Sequence, residues 1–333
     1  MKKDWSPKTL LETSGSYWET CTLHAGVKLA VFSVIGQEAL TSKEIATKIN
    51  ADERGITRLL DALSAMNLLN KIKNKYSNTS ISKNFLSQES DQYMGFMIMH
   101  HHYLMESWVN MDQAIIDGTK SRDRSSSFDE KKLECFLMGM FNMAMSIAPN
   151  LAPIINLKDC THLLDMGGGP GTYAIHFCLN NPDLKAKVYD RSTTRPFAEK
   201  TIKKFKVSDR IKFIDGDFIQ DDFIYKSEFD VAWLSHILHG EGPEGAEMII
   251  KKAVSGLKSN GKIFIHEFIM KDEMDGPLFP ALFSINMFLG TNNGQSYSEK
   301  QLFCMLDKFG IKDIKRLNFV GPTESGIITG IKN

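Results

Sequence analysis

The sequence carries no surplus of either charge: Lys plus Arg number 40, and so do Asp plus Glu. A neutral chain offers no field to gather nucleic acid or an anionic membrane surface. No apolar run approaches the length of a membrane span, and the N-terminus shows no hydrophobic signal region. Cysteine is scarce. Cys21, Cys135, Cys160, Cys178 and Cys304 form an odd, scattered set without metal-ligand spacing. That pattern excludes a disulfide scaffold, predicts no metal, and fits reduced thiols in a cytoplasmic protein.

What remains is soluble globular material. With 333 residues, 42% hydrophobic and 24% charged, the chain can build two domains, each with its own core. The densest signal is His162-Leu163-Leu164-Asp165-Met166-Gly167-Gly168-Gly169-Pro170-Gly171. A short apolar run ends in a carboxylate and enters a glycine turn, which reads as strand, tight turn and helix N-terminus. The dinucleotide fingerprint requires glycine at the sixth place, where Thr172 stands here. The spacing is instead Asp-x-Gly-x-Gly-x-Gly, typical of S-adenosylmethionine sites. Asp165, Gly167 and Gly169 are therefore candidate cofactor residues, because an acid at the strand end can hold a cationic amino-acid moiety. The plainer reading is an ordinary glycine-rich turn.

Chain order supports an α/β class. Tyr17 to Ile35 reads as one amphipathic helix, and Thr41-Ser42-Lys43-Glu44 as a capping box opening a helix to Ile49. Asp52 to Leu69 reads as a third helix, and Lys71 to Ser82 as a hairpin. This is a winged-helix module. Its presumed recognition helix sets Asp52, Glu53 and Asp61 against only Arg54 and Arg58, so packing or dimerisation fits better than DNA reading. Residues 1–90 are assigned to this mainly helical module and 91–156 to a helical connector rich in Met and aromatics. His100, His101 and His102 in that connector point in different directions around a helix and cannot share one metal. Residues 157–333 are assigned to a mostly parallel, Rossmann-like sheet domain.

Within that domain, expected strands at 185–190, 211–214, 229–234 and 261–268 deliver acids to one edge. Asp190 can accept from ribose hydroxyls. Asp217 can accept from an adenine amino group, with Phe218 packed on the ring. After the strand at 229–234 comes Ser235-His236-Ile237-Leu238-His239-Gly240-Glu241. Methyl transfer to a hydroxyl needs a base for its proton, and histidine titrates nearest neutrality. His239 is the candidate base, Glu267 at the end of the following strand its partner, and His236 is read as packing.

The chain resembles, over nearly its whole length, the O-methyltransferases that include caffeate-type, acetylserotonin and bacterial polyketide enzymes. The resemblance runs from the winged-helix module through Leu163 to Gly169 and on to Gly294-Gln295-Ser296-Tyr297-Ser298. It implies an N-terminal module that forms a homodimer and a sheet domain that binds S-adenosyl-L-methionine through Gly167, Asp190, Asp217 and Phe218. It places the family's base on His239 and its supporting glutamate on Glu267. It also implies substrate contacts at Met140, Phe141, Met287, Thr291 and Asn292. Three positions depart from the pattern. The Asp-Trp after the base is Gly240-Glu241; the lysine that caps adenine in plant members is Ser235, retained as a cofactor candidate; the second supporting glutamate is Ser296.

The expectation is an enzyme of secondary metabolism that methylates a hydroxyl of a small aromatic metabolite. It needs neither nucleic acid nor membrane. Two alternatives stand beside it: transfer to carbon, on a tetrapyrrole-like or other acceptor, and a ligand-sensing winged-helix regulator.

Overall fold

The computed structural model describes residues 4–122 and 129–333. These divide into two compact units, one drawn from Met1–Leu104 and Lys131–Asn142, the other from Met105–Glu130 and Met143–Asn333. The stretch 91–156 is thus shared between them.

In the first unit, Thr41 opens the helix Ser42–Ile49 with a reciprocal cap. The Thr41 amide donates to Glu44 Oε2 at 2.7 Å and the Glu44 amide to Thr41 Oγ1 at 3.3 Å. Two orphan donors of the first turn are satisfied this way. The helix expected over 17–35 is two helices, Tyr17–Lys28 and Val31–Ile35, because Ala30 takes a left-handed φ of 52°. The helix expected over 52–69 is Glu53–Ala65, and Leu69 already starts a strand. Strands β1 (Leu40–Thr41), β2 (Leu69–Ile72) and β3 (Lys75–Asn78) make an antiparallel sheet ordered β1-β3-β2. The hairpin ends earlier than its alternation suggested. Thr79 accepts from the Ser82 amide and caps a new helix, Ser80–Phe85.

Phe32, Ile35, Ile45, Leu60 and Leu63 close the core of this unit. Asp61 is engaged by Lys71 Nζ at 2.5 Å and the Tyr76 hydroxyl at 2.8 Å, so a hairpin cation is tied to the helix. The helix Pro7–Gly15 buries no residue, and Trp5, Leu10, Leu11 and Trp18 are exposed. The three consecutive histidines face different neighbours. His100 packs 5.2 Å from the Phe136 ring, His102 Nε2 lies 3.1 Å from Lys28 Nζ, and His101 is exposed.

The second unit is built on seven strands: β4 (His162–Met166), β5 (Lys185–Asp190), β6 (Ile211–Asp215), β7 (Phe229–Ser235), β8 (Leu257–Glu267), β9 (Ile311–Arg316) and β10 (Gly326–Lys332). Their order is β6-β5-β4-β7-β8-β10-β9; the first five run parallel, and β10 pairs antiparallel with both β8 and β9. The central strands are buried on both faces, as apolar runs such as Val231 to Leu234 require. Trp233, fully buried, packs 4.9 Å from Phe177 and 5.1 Å from Tyr173 by ring centroids.

From β4 the chain winds outward through β5 to β6, then crosses back to β7 on the other side of β4. The order reverses there. Crevices in open α/β sheets form at such a switch, outside the carboxyl ends of the strands. Asp165, Asp190, Ser235 and Glu267 all stand at or next to those ends. Among the described residues, no helix is long and apolar enough to cross a membrane.

Candidate functional site

The turn after β4 reverses within five residues, with φ of 71° at Gly167 and 55° at Gly169. A Cβ on Gly167 would stand 2.0 Å from Ile237, so the β7 loop closes directly onto this backbone. A Cβ on Gly169 would meet nothing within 4 Å, which leaves open space above that peptide. The Gly169 amide donates to Asp190 Oδ2 at 2.7 Å and the Arg191 amide to Asp190 Oδ1 at 2.7 Å. Asp190 is buried; desolvation raises its pKa against the pull of those two amides.

Asp165 is 1% exposed. Its Oδ2 accepts only the distant Ala174 amide at 3.3 Å, and its Oδ1 has no hydrogen-bond partner. Burial pushes this carboxyl up to about 7. A buried oxygen without a donor costs free energy unless a ligand supplies one.

At the β6 end, Asp217 is partly turned to local duty. Its Oδ1 accepts the Ile219 amide at 2.8 Å and the Gln220 amide at 2.9 Å, while Oδ2 lies 3.8 Å from Arg191 Nε. Partial desolvation works against ionisation there, but the two amides and Arg191 outweigh it and lower the pKa. Phe218 is nearly buried, packed edge-on against Tyr189 with the Arg191 guanidinium 5.8 Å from its ring centroid. Ser235 reaches His266 Nδ1 at 3.1 Å, a nitrogen that the Tyr173 hydroxyl also approaches at 3.2 Å, and His266 Nε2 meets Ser325 at 2.9 Å. Ser235 therefore belongs to a buried polar network under the crevice.

The β7 and β8 ends meet in one cluster. His239 Nδ1 lies 2.8 Å from Glu267 Oε2, and Glu267 Oε1 accepts the Leu238 amide at 3.0 Å. Glu267 is 2% exposed. Burial alone would raise its pKa, yet the His239 and His236 imidazoles hold it well below the usual carboxylate range. An ionised carboxylate only accepts, so His239 Nδ1 carries the hydrogen, and in the neutral imidazole the lone pair is then on Nε2. His236 takes a φ of 53°, packs at a tilt against Phe268 at 4.3 Å and brings Nδ1 to 3.7 Å from the same Oε2. One donor atom each of His236, His239 and Glu267 lies within 4.8 Å of the others, which corrects the expectation that no ligand-type cluster forms. The loop spacing hid it because the glutamate comes from a different strand.

Beside His239 stands a ring wall that the sequence reading missed. Phe283 meets it edge-on at 4.7 Å, Phe268 stacks on it at 6.0 Å, and Phe279 stacks on Phe283 at 6.0 Å. The signal was there: Phe279, Phe283 and Met287 recur every four residues along the helix Leu278–Gly290. Met287 is buried on that helix, and Thr291 hydroxyl donates to its carbonyl at 2.8 Å. Thr291 Oγ1 in turn accepts the Gly294 amide at 2.7 Å. A Cβ at Gly294 would stand 2.5 Å from the His239 carbonyl oxygen, so the turn rests on the backbone of that residue. Asn292 is exposed. Ser296, buried, donates to the Pro280 carbonyl at 2.9 Å and ties the turn to the helix. Met140 and Phe141 lie half-buried in the first unit.

A family model described as an O-methyltransferase domain matches residues 122–312, and one described as an O-methyltransferase dimerisation domain matches residues 11–88. The chain is 26% identical over 332 residues to a 3-hydroxy-5-methyl-1-naphthoate 3-O-methyltransferase of Streptomyces sahachiroi, covering 98% of this chain and 95% of that one. Its fold superposes on an O-methyltransferase family protein from Burkholderia thailandensis with a TM-score of 0.89, 22% identity and 99% of each chain covered. Human N-acetylserotonin methyltransferase, solved in complex with S-adenosylmethionine, gives a TM-score of 0.84 at 21% identity over the whole of both chains. A family match over more than half the chain, laid on a crevice of this topology, leaves one conclusion: the chain belongs to the S-adenosylmethionine-dependent O-methyltransferases that carry an O-methyltransferase dimerisation domain.

Proposed function

We propose that the acceptor is a hydroxyl of a small aromatic metabolite, with His239 as general base and Glu267 as the group that orients it. One observation carries the reading: a buried, ionised glutamate fixes His239 Nδ1 at 2.8 Å while aromatic rings flank the imidazole. A planar acceptor finds offset or edge-on partners on such a wall.

The cofactor fits the other half of the crevice. Asp165 Oδ1, buried and unpartnered, suits a cationic amino group, and the bare face of Gly169 admits a ligand against the backbone. Asp190 keeps accepting capacity for ribose hydroxyls at the end of β5, and Phe218 offers an apolar neighbour there. Asp217 is assigned a weaker part, since one of its oxygens already serves the turn. When bound, S-adenosylmethionine supplies a methyl group on a cationic sulfur, a reactive electrophile. The chain's own tasks are to orient the acceptor, exclude water and accept a proton at His239 Nε2. Glu267 then stabilises the imidazolium that results, as the carboxylate does in a catalytic triad.

Phe279, Phe283 and Met287 are the proposed acceptor contacts of the second unit, with Thr291 acting by holding Gly294 behind His239. Met140, Phe141 and Asn292 remain proposed contacts on the family resemblance alone. A second copy of the chain is the proposed partner of the first unit. The exposed Trp5, Leu10, Leu11 and Trp18 supply apolar area for it, in and around a dimerisation domain.

His239→Ala tests the reading with a panel of phenols and quinols and a labelled methyl donor. Turnover is expected to fall by roughly 10²–10⁴ with cofactor affinity kept. Wild-type turnover in that variant would remove His239 from the mechanism.

A further inference from the structure

We propose that His236, His239 and Glu267 form a binding site for a divalent transition-metal ion of the zinc class, and that its occupancy silences the base at His239. The first half stands on geometry alone; the second rests on the proposed role of His239.

The three donor atoms already converge within 4.8 Å, and both Nδ1 atoms face one carboxylate oxygen, at 2.8 and 3.7 Å. Ligand bonds of about 2.0–2.2 Å around a tetrahedral zinc set donors roughly 3.4 Å apart. Shifts below an ångström therefore complete the site. Two imidazoles and a carboxylate with the fourth position open form a zinc-type set.

An independent observation points to a missing ligand. His236 Nδ1 is buried and has no hydrogen-bond partner, since 3.7 Å is too long for one. The ring is nevertheless held between two others, tilted against Phe268 at 4.3 Å and His266 at 4.4 Å, on a backbone with φ of 53°. Strain and an orphan nitrogen at one residue are both costs that a bound cation offsets in part.

The ion and the acceptor proton exclude each other. In the metal-free pair, His239 donates from Nδ1 and keeps a lone pair on Nε2. Ligation through Nδ1 requires that lone pair on Nδ1, so the ring proton moves to Nε2 and no site is left for the acceptor's proton. No net proton is released, and the charge change is that of the ion.

Cobalt(II) is the direct probe, because its visible spectrum reports tetrahedral coordination. The full chain is used in a Cys21→Ser, Cys304→Ser background, since those two thiols are exposed and bind the same ions. One equivalent of cobalt is expected to bind with a tetrahedral spectrum and to be displaced by zinc. His236→Asn, whose side chain tolerates positive φ, is expected to weaken binding by at least about 100-fold, and Glu267→Gln to do the same. Zinc is expected to inhibit methyl transfer reversibly, with sensitivity lost in His236→Asn. Failure of wild type to bind cobalt at a tenfold excess over protein, or equal binding by both variants, overturns the site. Tight binding without inhibition overturns the silencing alone. A His239→Ala enzyme with wild-type turnover removes the base assignment, while the cobalt titration still reads the site.

Discussion

Two carboxylates, both fully withdrawn from solvent, stand at the carboxyl ends of β4 and β8 and behave in opposite ways. Glu267 is surrounded by donors: amides of Leu238 and His239 on one oxygen, the His239 ring and the Phe268 amide on the other. Asp165 has one weak amide contact and an oxygen with no partner. The first is held ionised; the second is pushed up to about 7. The contrast teaches that burial does not set the charge of a site; the donors that come with it do. Both oxygens of the β8 carboxylate have their donors before any ligand arrives, whereas one oxygen of the β4 carboxylate has none.

The sharpest break in that contrast is Glu267→Gln. It replaces the acceptor of the His239 Nδ1 hydrogen by an amide, and turnover is expected to drop by about 10²–10⁴, close to removal of the imidazole itself. A variant with near-normal kcat would reduce Glu267 to a packing residue. Next is Asp165→Asn, which removes the proposed countercharge and is expected to weaken S-adenosylmethionine binding by about tenfold or more; calorimetry reads it. Asp190→Ala is expected to act in the same direction through lost ribose hydrogen bonds, and wild-type affinity there would contradict the assignment.

The pH dependence of stability separates the two acids without any assay of activity. Asp165 moves from an ordinary 3.8 to about 7 on folding. Between those values the folded chain keeps a proton that the unfolded chain has released, so its contribution to stability falls as pH rises through that window. Glu267 is shifted the other way, and its contribution is lost only as pH falls below the ordinary carboxylate range. Thermal melts of the ligand-free protein across pH 4 to 8 (chosen to span the rise of Asp165) should become flatter in Asp165→Asn; an unchanged slope would refute that account. The smallest effect concerns the ring wall. Phe283→Leu should raise KM for an aromatic acceptor by a few fold, about the 0.5–1.5 kcal/mol of one ring pair, with kcat moved less.

Much of this site was legible because strands deliver residues to one edge in a fixed order. Asp165, Asp190 and Glu267 each close an apolar run, and His239 follows one, so their convergence needed only the parallel topology. Asp217 shows where that logic stops: its position was read correctly, but a side chain two residues from free amides folds back to cap them. The pairing of His236 with Glu267 was hidden by a left-handed residue at the end of β7, which no periodicity reports. Ala30 hid the break in the helix expected over 17–35 in the same way. The ring wall was visible as a period of four, yet the helix carrying it is apolar on nearly every face, so no stripe stood out.

The turn Thr291–Gly294 bears on anyone who would retarget this enzyme. Because a side chain at Gly294 would collide with the carbonyl of His239, the turn behind the proposed acceptor wall and the proposed base are mechanically one piece. Phe279 and Phe283, carried on the helix rather than on the turn, are the positions at which to redraw selectivity. Libraries that randomise the turn behind them would mostly return proteins with a displaced imidazole.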